Sequence, residues 1–124
     1  MPKIWNIYHI ENCRHTTPVK SKFVVIVCSS DSKFRGFLIN TKIHRFIQDR
    51  PDLLVCQALI DVSSHSFLKH DSYADCRELC EFERHELNSD NDRGPIGLKA
   101  KKAIKLAVTK SKRISPYYRN LILG

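Results

Sequence analysis

Residues 22–30 read KFVVIVCSS and contain five consecutive β-preferring or apolar residues, from Phe23 to Val27. Such a run predicts a buried central strand. On its N-terminal side, residues 3–10 (KIWNIYHI) alternate in polarity with apolar members in both sets, which predicts a strand covered on both faces. A polar loop should join these two strands. After residue 28, SSDSKFRG predicts a turn, and GFLIN begins a further short strand.

The segment that follows this third strand changes character. In TKIHRFIQDRPDLL, Thr41 is expected to cap a short helix that packs Ile43, Phe46 and Ile47 on one face. The helix should stop before Pro51, since a residue that precedes proline avoids the α region. Residues 53–62 (LLVCQALIDV) then predict another buried strand, and residues 67–79 (FLKHDSYADCREL) a strand with polar edges.

The last third of the chain predicts one substantial helix. SDNDRGP is the strongest breaker cluster, and IGLKAKKAIKLAVTKSK follows it with helical periodicity. The buried face is expected to carry Ala100, Ala103, Ile104, Ala107 and Val108, and the outer face Lys99, Lys101, Lys102 and Lys105. The apolar tail predicts a final short helix or strand. The whole chain, residues 1–124, is therefore expected to be a single, mainly β domain.

Charge is the unusual property of this composition. The net charge is +8, while the 42% apolar and 27% charged residues are ordinary for a globular domain. An excess of this size favours a polyanionic partner, which is nucleic acid or an acidic membrane or protein surface, although a merely basic solvated surface is an alternative. No signal peptide and no membrane-spanning segment are visible, so a cytoplasmic protein with reduced thiols is expected.

Histidines and cysteines raise the question of a metal or thiol site. Five cysteines and six histidines are present, but structural zinc favours close pairs such as C-x-x-C, and the nearest approximations are Cys76-x-x-x-Cys80 and Cys13-x-His15. Small buried cysteines explain the pattern better, and we expect no metal and no cofactor. Cys13, beside Arg14 and His15, is the one suggestive thiol nucleophile.

Basic residues fall into a helical run and a group in the loops. The helical run from Lys99 to Arg113 is interpreted mainly as a solvated face, with nucleic-acid or acidic-partner binding as the alternative. Metal-free RNA cleavage needs a group to deprotonate the ribose 2′-hydroxyl, a group to protonate the leaving oxygen, and donors for the charged phosphorane. The loops hold histidine, arginine, threonine and lysine side chains suited to these tasks. The candidate RNA-binding residues are Lys20, Lys22, Arg35, Lys42 and His44.

Three segments in the same order resemble the MazF/PemK (Kid) family of toxin endoribonucleases. KIWNIYHI resembles the first strand of that family, and PVKSKFVVIV resembles its second. DSYADCRELCEFERHEL, a polar break and GPIGLKAKKAIKLAVTKS resemble its later strand and helix, with Ile96-Gly97-Leu98 as the best single match. The resemblance implies an SH3-like barrel with a short helix after strand three and a C-terminal amphipathic helix.

The resemblance also implies a function and a set of site residues. It implies the toxin of a type II toxin–antitoxin system, a homodimer that cleaves single-stranded RNA without metal and binds an acidic antitoxin protein. Arg14 would stabilise the phosphorane, Thr41 would orient the scissile phosphate, and His15 or His70 would move the proton. Cys76, flanked by Asp75 and Arg77, would be a small core residue.

The loop between the first two strands supports an alternative. It lacks the Gly-x-Glu-x-x-Gly-x-Arg-Pro pattern that carries the catalytic arginine in the family. The alternative is a non-enzymatic binding module on the same barrel, which acts on a protein target like the gyrase poison CcdB or binds nucleic acid without cleavage.

Overall fold

The computed structural model describes all 124 residues. It contains seven strands: β1 (Asn6–Cys13), β2 (Lys20–Ser30), β3 (Lys33–Asn40), β4 (Gln57–Ile60), β5 (Ser72–Asp75), β6 (Cys80–Phe82) and β7 (Asp92–Pro95). It contains four α-helices: α1 (Arg45–Gln48), α2 (Pro51–Leu54), α3 (Leu98–Lys110) and α4 (Pro116–Leu123). Single 3-10 turns occur at Val62–Ser64 and Arg84–Glu86. No helix combines the length and the apolar character that crossing a bilayer requires.

The strands form one curled antiparallel sheet. Six of them follow the order β4-β5-β3-β2-β1-β7, and β6 pairs with the part of β3 that β5 leaves free. The outer strands β4 and β7 do not pair with each other, so the sheet is an open half-barrel. The prediction of a mainly β chain is confirmed.

Strand β2 is buried on both faces, as its apolar run predicts. Val25 and Val27 belong to the helix-side core, a cluster of 19 buried residues under α3 that includes Phe37 and Ile104. The opposite face contributes to a second cluster, the loop-side core: Tyr8, Ile10, Cys13, Val24, Ile26, Phe34, Cys80, Phe82 and Leu87. The strand lies third from one side of the sheet and contributes side chains to both cores.

A tight hairpin joins β2 to β3. Asp31 and Ser32 have φ angles of 55° and 64°, the left-handed conformations that two-residue hairpin turns require. The predicted turn is confirmed, but β3 begins at Lys33, earlier than expected. Farther along the pair, at Gly36, the strands approach closely: a Cβ on this residue would lie 2.1 Å from the carbonyl oxygen of Val25. No other residue type fits there without moving the backbone.

The first strand is shifted relative to its prediction. It starts at Asn6, since Trp5 has a φ of 72° and leaves the extended conformation. Its backbone instead connects two elements, because Trp5 donates to the carbonyl of Ile26 and accepts from the amide of Ile96. At the other end the strand continues to Cys13, which pairs with Lys20 after a register shift that follows Ile10.

The predicted helix after β3 is confirmed in its end before Pro51 and in the burial of Ile47, but its cap and the packing of Phe46 differ. Helix α1 is one turn long, the residue before it is His44, and Thr41 caps nothing. Helix α1 ends at Gln48, before Pro51, as predicted. Pro51 then begins a second helix, α2, which removes the first part of the strand predicted at 53–62. Phe46 is 51% exposed, so it is not part of the core.

Residues 67–79 form less strand than expected. Only β5 is extended, and β6 follows after an interruption along the same edge of β3. The interruption places Cys76 in the helix-side core with 0% exposure, which confirms it as a small core residue. Its carbonyl accepts a hydrogen bond from the hydroxyl of Ser111 at the end of α3.

Helix α3 packs as predicted on one face and differs on the other. Ala100, Ile104, Ala107 and Val108 are buried and Ala103 is half-buried. Lys101 and Lys105 are not simply solvated: their ammonium groups lie 5.0 and 5.8 Å from the centre of the Trp5 ring. The tail after α3 is a helix, α4, whose first turn Ser115 caps.

A buried histidine positions the start of α3. The side chain of His65 is 2% exposed, and its Nε2 accepts a hydrogen bond of 2.9 Å from the amide of Gly97. Its Nδ1 lies 2.7 Å from the carbonyl oxygen of Asp61, so it donates there. These two contacts select the neutral Nδ1–H tautomer. They tie the turn after β4 to the beginning of the helix.

Candidate functional site

Strand pairing brings two of the predicted catalytic residues to one cavity. Asn40 is opposite Tyr73 in the antiparallel pair of β3 and β5, so Thr41, after β3, and His70, before β5, lie at the same end of the sheet. Both line a cavity of about 230 Å³, which we call the Thr41–His70 cavity. The sequence predicted these two residues separately, and the structure places them together.

The Thr41–His70 cavity combines an aromatic wall with a polar rim. Phe23 and Phe67 line it with ring centroids 5.0 Å apart. The rim carries the exposed side chains of Thr41, Lys69 and His70, none of which makes a side-chain hydrogen bond or ion pair within the protein. These three groups are therefore available to a ligand.

Arg14 and His15 lie outside this cavity. Nη2 of Arg14 donates to the carbonyl oxygen of Glu81 at 2.7 Å and lies 3.2 Å from the carboxylate of Glu86. Nε2 of His15 lies 2.6 Å from the same carbonyl, and its ring meets the edge of Phe82 with a centroid distance of 5.0 Å. The predicted catalytic set is thus divided, because the loop after β1 folds against β6 and covers the loop-side core.

The predicted RNA-binding residues are also divided. Lys20, Lys42 and His44 are exposed, and the last two lie within three residues of Thr41. Lys22 donates to the side chain of Asn40, and burial, with the nearby charge of Lys20, lowers the pKa of its ammonium group.

Arg35 lies six residues before Thr41, near the other end of β3. There its guanidinium bonds to Glu81 and stacks on the ring of Tyr118, 4.7 Å from the ring centre. Arg35 is therefore separated from the other predicted RNA-binding residues.

The cysteines are reduced core residues. All five are free and buried. Burial raises the pKa of Cys28 to about 11 and that of Cys80 to about 12. Cys13 has no exposed surface, so it is not a thiol nucleophile open to substrate. Nowhere in the chain do three or more histidine, cysteine or acidic side chains converge in a way that suits a metal ion.

A second cavity was not anticipated. It has a volume of about 330 Å³, and its lining includes Arg35, Arg77, Arg113 and Tyr118, so we call it the arginine cavity. The three arginines come from β3, from the β5–β6 connection and from the turn between α3 and α4. These arginines are far apart in the sequence, so no local pattern indicates that they converge. The interruption between β5 and β6 brings Arg77 beside the end of α3.

Comparisons with known proteins do not add a family to this geometry. Neither the scan against protein-family models nor the search of curated proteins gave a match.

Proposed function

We propose that this protein is a metal-independent endoribonuclease for single-stranded RNA, on an SH3-like barrel of the MazF/PemK type. The observation that carries the proposal is the Thr41–His70 cavity, where an aromatic wall adjoins three unpaired polar side chains. Aromatic rings bind unstacked bases, and each base–aromatic stack contributes about 1–3 kcal/mol. The exposed Lys42 and His44 continue the basic surface beyond the rim.

The rim residues match the tasks of RNA cleavage. His70 accepts the proton of the ribose 2′-hydroxyl as its oxygen attacks the adjacent phosphorus. Thr41 donates a hydrogen bond to a non-bridging phosphate oxygen, and Lys69 stabilises the added negative charge. The leaving 5′-oxygen takes a proton from solvent, which yields a 2′,3′-cyclic phosphate and a 5′-hydroxyl. Lys69 replaces Arg14 in this scheme, because Glu81 and Glu86 already hold the guanidinium of Arg14.

The proposal includes a biological setting. The protein is the toxin of a type II toxin–antitoxin pair, a cytoplasmic homodimer whose antitoxin is an acidic protein. The net charge of +8 is complementary to such a partner. Co-expression with the product of a small acidic open reading frame beside its gene should relieve growth arrest. A toxin that no such neighbour neutralises would contradict this setting.

The cleavage itself is tested with purified protein and RNA. Single-stranded RNA incubated with chelator should be cut and should give fragments that end in a cyclic phosphate. The matched all-deoxyribose strand should bind and stay intact, because it lacks the attacking hydroxyl. Intact RNA over a wide range of protein concentration would reject the nuclease proposal.

A second candidate function is nucleic-acid binding without cleavage. The separation of Arg14 and His15 from Thr41 and His70 favours it, because fewer of the expected catalytic groups share one cavity. In this case RNA and the all-deoxyribose strand should both bind and both remain intact. Product analysis therefore distinguishes the two functions in one experiment.

A further inference from the structure

The arginine cavity has the composition of a phosphate site. Three guanidinium groups from separate elements line it together with the carboxylate of Glu78, and two of the three, those of Arg35 and Arg77, are paired with further carboxylates. The side chain of Arg113 makes no hydrogen bond or ion pair within the protein and is exposed. Guanidinium groups form strong charge-assisted hydrogen bonds with phosphate oxygens, so three of them around one cavity favour a phosphorylated ligand.

The other two arginines are held in place but keep free donors. Arg35 bonds through Nη1 to Ser30 and through Nη2 to Glu81, which leaves its Nε without a partner. Arg77 bonds through Nε and Nη2 to Asp75, at 2.9 and 2.8 Å, which leaves its Nη1 free. The carboxylates orient these guanidinium groups before any ligand arrives, so less side-chain freedom is lost on binding.

Aromatic rings connect the arginine cavity to the exposed residues after β3. The rings of His44 and Phe46 are 5.8 Å apart, and the guanidinium of Arg77 lies 5.3 Å from the centre of the Phe46 ring. Arg77 in turn lines the arginine cavity, where Arg35 stacks on Tyr118. Alternating cations and exposed rings of this kind are typical of surfaces that bind single-stranded nucleic acid.

We propose that the arginine cavity binds a backbone phosphate of the same single strand whose reacting phosphate lies in the Thr41–His70 cavity. Arg35 lies on β3 and Thr41 directly after that strand, and their separation of six residues corresponds to about 20 Å of extended chain. Stacked nucleotides rise about 3.4 Å each, so about six of them cover this separation. The inference rests on the proposed function only in taking a single-stranded nucleic acid as the ligand.

The test measures binding and does not depend on cleavage. A ten-nucleotide all-deoxyribose strand is titrated at several salt concentrations against wild-type protein and the Arg113→Gln variant. Because Arg113 has no partner in the protein, its replacement should leave the melting temperature unchanged. We expect the affinity to fall about threefold or more, and the slope of log K against log salt to shrink by about 0.7, the value of one phosphate contact.

Two further measurements complete the test. Lys102→Gln is the matched control, since Lys102 is an exposed cation on α3 without a partner, and it should leave affinity and slope unchanged. Tyr118→Leu keeps an apolar side chain but removes the ring, and it should weaken binding of the strand.

The outcomes separate this inference from the proposed function. Equal effects of Arg113→Gln and Lys102→Gln overturn it, as does an equal loss of affinity for polyglutamate, which would mean an unspecific acidic-polymer surface. Cleavage of RNA with no effect of Arg113→Gln on binding rejects the arginine cavity and keeps the nuclease. A salt-dependent loss in Arg113→Gln without any RNA cleavage keeps the cavity and rejects the nuclease.

Discussion

The Arg14–His15 pair and the Thr41–His70 cavity contain similar functional groups but differ in what those groups contact. Arg14 and His15 both bond to the carbonyl of Glu81 and hold a loop against β6. Thr41 and His70 make no side-chain hydrogen bonds within the protein and face a cavity. Residue type alone therefore does not define a site, because the fold can use the same donors to hold its own loops.

The largest expected effect contrasts the two histidines in catalysis. His70→Gln should slow RNA cleavage by at least about 100-fold, the usual contribution of a general base. His15→Gln should slow it by less than about threefold, which corresponds to less than about 0.7 kcal/mol of transition-state stabilisation. Initial rates at saturating RNA measure both. A larger loss of cleavage rate in His15→Gln than in His70→Gln would indicate that the catalytic site lies at the Arg14–His15 pair.

A smaller catalytic effect is expected at Thr41. Thr41→Val removes the hydroxyl at constant shape and should cost about tenfold or more in rate, because one donor to the developing anion is lost. Thr41→Ser keeps the hydroxyl and should retain most of the activity. Similar rates in the two variants would show that the hydroxyl takes no part.

Replacement of the two histidines should affect stability in the opposite order, with the larger loss at His15. His15→Ala removes a hydrogen bond and an aromatic contact, and should lower the free energy of unfolding by about 1–2 kcal/mol. His70→Ala removes an exposed ring and should change it by less than about 0.5 kcal/mol. Urea unfolding of both variants measures the difference. An unstable His70→Ala would mean that this ring is part of the fold.

The smallest effect concerns a paired and an unpaired arginine in the arginine cavity. Burial alone would raise the pKa of Asp75, but hydrogen bonds from Arg77 and Gln57 hold it below its usual value. The resulting stability is present above the ordinary aspartate pKa of about 3.9 and is lost as the pH falls through the lowered value. Asp75→Asn removes this titrating carboxyl, so the loss of unfolding free energy on acidification should be smaller by about 1 kcal/mol or less. Arg113→Gln should leave that loss unchanged. Parallel acid profiles for Asp75→Asn and wild type would contradict the pairing.

The parts of the fold that follow from local sequence were predictable. The apolar run in β2, the turn at Asp31–Ser32 and the buried face of α3 each depend on a few neighbouring residues. The start of α1 was not predictable, because the positions of Ile43, Phe46 and Ile47 fit a helix capped by Thr41, whereas α1 begins at Arg45. Phe46 instead remains at the surface, under the guanidinium of Arg77.

The sequence predicted which residues the candidate site contains, but not how they are grouped in space. Thr41 and His70 were named from the sequence, but their shared cavity depends on the pairing of β3 with β5. Arg14 and His15 were named for the same reasons, and their contacts with Glu81 depend on how the first loop folds over β6. Arg77 and Arg113 converge only through tertiary packing, which no local pattern expresses.

Gly36 limits the registers in which β2 and β3 can pair. Strand β2 is apolar on both faces, so hydrophobicity alone discriminates weakly between alternative alignments with β3. The close approach of Gly36 to Val25 does discriminate, since a slipped alignment would bring Arg35 or Phe37 against that carbonyl and its Cβ would collide. The absence of a side chain at Gly36 therefore favours the native register of β2 and β3, because the neighbouring registers would produce a collision.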